Sequence, residues 1–149
     1  MHALGRHLLV ELLDCNSDDL NNREAVKRSL LEAARLAQAT IVATTFHQSN
    51  PFGISGVVVI AESHLSIHTW PEHRYAAVDV FSCGNVLKPD LAAGYLAQRF
   101  AAKQVSIVEL QRGVFAQSAA PKPRKVADNI LCVSNGRWQG RAERTVKQL

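Results

Sequence analysis

At 149 residues the chain has the length of one domain, and a hydrophobic fraction of 47% is enough for a packed core. A charged fraction of 20% is ordinary, which argues against a chain disordered throughout, and no apolar run reaches the roughly eighteen residues of a membrane-spanning helix. The net charge of +4 arises at one end: from Pro121 onward Lys122, Arg124, Lys125, Arg137, Arg141, Arg144 and Lys147 face only Asp128 and Glu143, leaving the rest of the chain at −1.

The first residues, Met1 to Arg6, lack the long apolar stretch of a secretory signal, so the expected location is the cytoplasm. Leu8 to Leu13 is short and apolar and predicts a first strand. Asn16-Ser17-Asp18-Asp19 supplies turn and N-cap residues. Leu20 to Ala39 predicts a helix. Val26, Leu30, Ala33, Ala34 and Ala37 form its apolar stripe, and Arg23, Glu24, Lys27, Arg28, Glu32 and Arg35 its outer face.

Thr40 to Phe46 is rich in β-branched residues and predicts a second strand, broken by Asn50-Pro51-Phe52-Gly53. Gly56 to Ala61 is a continuous apolar run and predicts a central strand. Leu65 to Trp70, ended by Pro71, and Tyr75 to Phe81 predict two more. Pro89 opens a second helix carrying Leu91, Tyr95, Gln98, Arg99 and Ala102, and Gln104 to Leu110 predicts a last strand.

That order predicts an α+β two-layer sandwich, an antiparallel sheet with two helices packed on one face. Beyond Gly113 the pattern weakens. Ala119 to Arg124 reads as a linker, and Asn129 to Val133 could form a short strand with no evident place. The boundaries expected are a domain over 1–117 and a basic extension over 118–149. A solvated tail explains the extension better than a nucleic-acid contact. Cys15, Cys83 and Cys132 are odd in number and include no CxxC spacing, which argues against a disulfide framework or a zinc module.

Unusual residues concentrate between Glu62 and Gly84, and four readings of them compete. His64 and His68 have a ligand-like spacing, but that spacing converges on a helix and this segment is strand-like. Cys83 and His68 could form a nucleophile pair. The histidines and Cys83 could simply complete a core. The fourth reading is backbone self-cleavage at Ser63. The serine hydroxyl would attack the carbonyl of Glu62, strain in the connection would help, and a base such as His68 would take the α-proton to leave a pyruvoyl group.

The run Glu62-Ser63-His64-Leu65-Ser66-Ile67-His68-Thr69-Trp70-Pro71-Glu72-His73 resembles the self-processing signature of bacterial and archaeal S-adenosylmethionine decarboxylases. Gly5-Arg6-His7, Gly53 to Ile60 and Tyr75 to Gly84 agree with that family in order and spacing, so the resemblance covers about residues 4 to 115. It implies a proenzyme cut between Glu62 and Ser63 into a 1–62 chain and a chain from 63, with Ser63 becoming the covalent pyruvoyl cofactor. It implies His68 as proton acceptor in processing, Ser55 as its hydrogen-bonding assistant, and Cys83 as proton donor during decarboxylation.

The pyruvoyl ketone would form a Schiff base with the substrate amine and accept the electrons released with CO2. The product would be the aminopropyl donor for spermidine. The family also implies a homodimer of processed protomers, and the residues themselves give no expectation of a metal. Phe46, Phe52 and Trp70 are candidates to meet the adenine and sulfonium of the substrate, and Glu72 to attract its cation. Relatives commonly carry an aromatic residue where this chain has Ser49. That departure bears on the substrate more than on processing and keeps open a pyruvoyl-dependent arginine or ornithine decarboxylase; an unprocessed, non-catalytic homologue is a separate alternative, against which the intact signature argues.

Overall fold

The computed structural model describes residues 3–114 with their side chains and the backbone of residues 124–128. Within these described residues seven strands form one antiparallel sheet: β1 (Gly5–Leu13), β2 (Ile41–Gln48), β3 (Ile54–Ile60), β4 (Ser63–Trp70), β5 (Tyr75–Cys83), β6 (Gln104–Arg112) and β7 (Arg124–Asp128). Their spatial order is β2-β3-β4-β5-β1-β6-β7, so β2 and β7 are the edges. The helices α1 (Ser17–Leu20), α2 (Arg23–Leu36) and α3 (Pro89–Arg99) complete the α+β sandwich anticipated from the sequence. Among the described residues no helix is long and apolar enough to cross a membrane.

The core lies between sheet and helices. Leu8, Val10 and Leu12 of β1, Leu65 and Ile67 of β4, and Val78 and Val80 of β5 point inward on alternate positions. They meet Val26, Leu30, Ala33 and Ala34 of α2, Leu96 and Ala97 of α3, and the buried Phe100. Small residues on both helices let them lie close to each other and to the sheet.

Two elements differ from the sequence reading. The predicted helix over Leu20 to Ala39 begins later, at Arg23, because Asn22 caps it: its side chain accepts from the Ala25 amide at 3.0 Å, and a separate single turn, α1, precedes it where only turn and cap residues were expected. The strand β7 has no counterpart among the predicted elements. It pairs with β6 from Ser106↔Asp128 to Glu109↔Arg124, so its first residue falls at the end of the stretch read as a linker. The strand considered over Asn129 to Val133 and Cys132 lie outside the described residues.

Candidate active site

The sheet face without helices carries the unusual residues. Strand alternation places Ser55, His64, Ser66, His68, Trp70, Asp79, Phe81 and His7 there, as the register pairs Ser55↔His68, Ser66↔Asp79, His64↔Phe81 and His7↔Phe81 confirm. Leu9, Val57, Val59 and Val108 occupy the same face, and Val59 remains 41% exposed.

At one end lies the β3–β4 hairpin. Ile60 pairs with Ser63 across a two-residue connection, Ala61-Glu62. Such connections favour positive φ at their central residues, which Ala and Glu resist. Here the positive φ falls on Ser63, at +148°, a region that residues with a Cβ rarely occupy. Three hydrogen bonds hold the distorted turn. The Ala61 amide donates to the Thr40 carbonyl at 2.9 Å, and the Thr40 amide donates to Glu62 Oε2 at 3.0 Å. The Cys83 amide donates to the Glu62 carbonyl oxygen at 2.8 Å. The Thr40 amide also holds the exposed Glu62 carboxyl below the usual carboxylate range. Ser63 Oγ lies 3.3 Å from His64 Nδ1.

At the other end of the same strands, Ser55 Oγ meets His68 Nδ1 at 2.9 Å. His68 lies 6.3 Å from the Trp70 ring, which stacks on Tyr75 at 5.2 Å with 25° between planes. Tyr75 donates a short hydrogen bond to Glu11. Burial and that carboxylate push the Tyr75 phenol up to about 12. Phe52 is exposed in the loop before β3, and Glu72 is exposed in the 3-10 turn after β4. Phe46 pairs with Gly56 and packs toward the helices, so it stands on the opposite side of the sheet from His68.

Between the two ends runs a polar line across four strands. Ser66 Oγ donates to Asp79 Oδ2 at 3.0 Å, and Asp79 Oδ1 lies 3.3 Å from His7 Nε2. Arg112 Nη1 lies 3.2 Å from His7 Nδ1. A guanidinium can only donate, so Nδ1 accepts and the proton of neutral His7 sits on Nε2, toward Asp79. That approach has ion-pair distance but not hydrogen-bond alignment, which leaves the buried Nε2 without a hydrogen-bond partner among the described residues. Burial lowers the His7 pKa against the pull of Asp79, and the Arg112 charge lowers it further.

The structure therefore brings Glu62, Ser63 and Cys83 together, and separately brings Ser55, His68 and Trp70 together. It does not join the two groups within one chain. Ser63 and His68 are five residues apart on β4, or about 17 Å. Cys83 is six residues along β5 from the residue that pairs with His68, about 20 Å away, so the two cannot form a nucleophile pair in one chain. His64 and His68 are about 13 Å apart on the strand and cannot share one ion. Sequence reasoning gives no role to His7, Asp79, Glu11 or Arg112, and weighs His64 only as a ligand. For His64 the available signal is its adjacency to Ser63.

The model of the family described as S-adenosylmethionine decarboxylase matches residues 6–113. An S-adenosylmethionine decarboxylase proenzyme of Thermodesulfovibrio yellowstonii is 54% identical over 133 residues, covering 89% of this chain and 98% of that one. One from Acetivibrio thermocellus is 49% identical, covering 86% and 99%. The crystal structure of the adenosylmethionine decarboxylase from Aquifex aeolicus superposes with a TM-score of 0.73 at 33% identity, covering 80% of this chain and 99% of that chain. A Trypanosoma brucei structure shares the fold alone, with a TM-score of 0.52 at 15% identity, over 73% of this chain and 46% of that one.

Proposed function

Since the chain belongs to the S-adenosylmethionine decarboxylase family, we propose that it is a self-cleaving proenzyme that decarboxylates S-adenosylmethionine. Cleavage falls between Glu62 and Ser63, and Ser63 becomes the pyruvoyl group. The observation that carries this reading is the φ of +148° at Ser63, a strained serine directly after a carbonyl already held by the Cys83 amide. The strain weakens the peptide at the one bond whose acyl transfer to a hydroxyl starts the chemistry. The pyruvoyl group, once formed, supplies an electron sink for the carbanion left by loss of CO2.

The remaining roles belong to side chains. His68 takes the α-proton of residue 63 during processing, and Ser55 orients it through Nδ1. Cys83, exposed beside the cleavage site, returns a proton to the substrate α-carbon after CO2 leaves. Trp70, 39% exposed, and Phe52, 52% exposed, offer π faces to the sulfonium and the adenine, and Glu72 attracts the cation. Phe46 acts as a support, packing over Gly56 and thereby fixing the strand that carries Ser55.

These roles need Ser63 and His68 in one site, so the working unit is a homodimer. Two helix-free faces pack together about a twofold axis, and the Ser63 end of one protomer meets the Ser55–His68–Trp70 end of its partner. Leu9, Val57, Val59 and Val108 give that face the apolar content such a contact buries.

The test is the mass of the purified chain, together with CO2 release from carboxyl-labelled S-adenosylmethionine. Fragments ending at Glu62 and beginning at a blocked residue 63, with CO2 release abolished in Ser63→Ala, are expected. A stable intact chain with no release overturns the proposal.

A further inference from the structure

We infer that His64 is the base that begins the self-cleavage, a role separate from that of His68; the inference rests on the processing reading above. Two steps each need a proton acceptor. The acyl shift needs a proton acceptor at Ser63 Oγ, and the later elimination needs one at the α-carbon. Within the chain that carries the scissile bond, His64 Nδ1 lies 3.3 Å from Ser63 Oγ, whereas His68 is about 17 Å away. A contact of that length before reaction is typical of a base that tightens on its proton as the nucleophile advances.

Local packing holds the imidazole in place. The His64 ring meets Phe81 edge-on at 5.8 Å and stands nearly perpendicular to the His7 ring at 6.4 Å. The positive φ of Ser63 matters here as well. In a regular strand neighbouring side chains point to opposite faces, so a hydroxyl at 63 would turn away from an imidazole at 64. The distorted backbone is what brings Oγ and Nδ1 to one side.

The step balances without a co-reactant. Nδ1 takes the hydroxyl proton as Oγ attacks the Glu62 carbonyl carbon, and the carbonyl π electrons move to the oxygen. That oxygen already accepts from the Cys83 amide at 2.8 Å, which stabilises the charge as it develops. Collapse of the tetrahedral centre breaks the bond to the Ser63 nitrogen, and that nitrogen takes the proton carried by Nδ1. The product is an ester between the Glu62 acyl group and Ser63 Oγ, with a free amine on residue 63. His64 ends unchanged. His68 then acts on the ester.

The experiment follows cleavage of the full chain, made by cell-free translation, with and without neutral hydroxylamine, which cuts esters and spares amides. Wild type should cleave unaided. His68→Ala should stall as an ester that hydroxylamine cuts after Glu62. His64→Ala and His64→Gln should cleave at least about 100-fold more slowly, yield no hydroxylamine fragment, and be partly restored by added imidazole. The Gln variant keeps a side chain of similar size against Phe81, so a loss shared by both variants is chemical. Either variant cleaving within about threefold of wild type, or accumulating the ester, overturns the assignment. A wild-type chain that never cleaves overturns the processing reading beneath it instead.

Discussion

Ser63 and His68 share one strand yet lie about 17 Å apart, with their side chains at opposite ends of β4. A reaction that uses both must recruit them from different chains. The consequence is trans complementation. Ser63→Ala keeps a sound His68, and His68→Ala keeps a sound Ser63, so a mixed dimer has one complete site. Neither variant should cleave alone. When the two are co-expressed, the His68→Ala chains should be cut in the mixed dimers, giving about a quarter of the wild-type sites. Mass spectrometry of the mixture reads this directly, and absence of any fragment would show that the site is not shared.

The strained serine has its own measurable signature. A residue with a Cβ held in a sparsely populated region costs about 1–3 kcal/mol, and glycine relieves most of that cost. Ser63→Ala and Ser63→Gly both lack the hydroxyl that the proposed cleavage needs, so each is expected to unfold as a single species. The Ser63→Gly chain should be the more stable by about 1 kcal/mol in urea denaturation, at matched protein concentration. Glycine normally loses stability through the entropy of the unfolded chain, so a gain identifies strain at this position. Equal or lower stability for the glycine variant would place the strain elsewhere.

Much of this arrangement is readable in the sequence. The alternation in Leu65 to Trp70 puts Ser66 and His68 on one face and Ile67 and Thr69 on the other, and the structure agrees. The concentration of unusual residues between Glu62 and Gly84 stands out by composition, and the helix-on-sheet architecture follows from element order. The polar line Ser66–Asp79–His7–Arg112 does not, because its members come from β4, β5, β1 and β6. Their adjacency depends on β1 inserting between β5 and β6, and local pattern carries no information on strand order. The single turn α1 is hidden for another reason: Ser17-Asp18-Asp19-Leu20 holds one apolar residue and shows no period, and Asn16 and Asn22 around it read as turn and cap residues. β7 begins just after a proline-rich stretch, and Arg124–Asp128 has little apolar alternation, so its partner β6 defines it.

His7 should make stability depend on pH. Its folded pKa is lowered from 6.5, chiefly by burial. Between that lowered value and 6.5 the unfolded chain binds more protons than the folded one, so stability rises with pH across the window. The contribution is complete above 6.5 and is lost as the pH falls through the folded value. In the Ser63→Ala background, urea denaturation should show stability falling from neutral pH toward about pH 5, and His7→Gln should flatten that fall. An unchanged slope would mean that other groups carry the dependence.

Gly56 tests the support beneath the second half of the site. A Cβ at this position would collide with the Phe46 ring, which lies across the strand. Gly56 neighbours Ser55, so any shift of the strand that relieves the clash also moves the hydroxyl that orients His68. Gly56→Ala should therefore cost about 1–3 kcal/mol of stability and slow cleavage as well. Phe46→Leu removes the far ring edge and should recover part of both losses when added to Gly56→Ala. Such coupling is expected of residues in direct contact and is read from the double-mutant cycle. Strictly additive effects would indicate that the ring moves aside freely and that Ser55 is held by β4 alone.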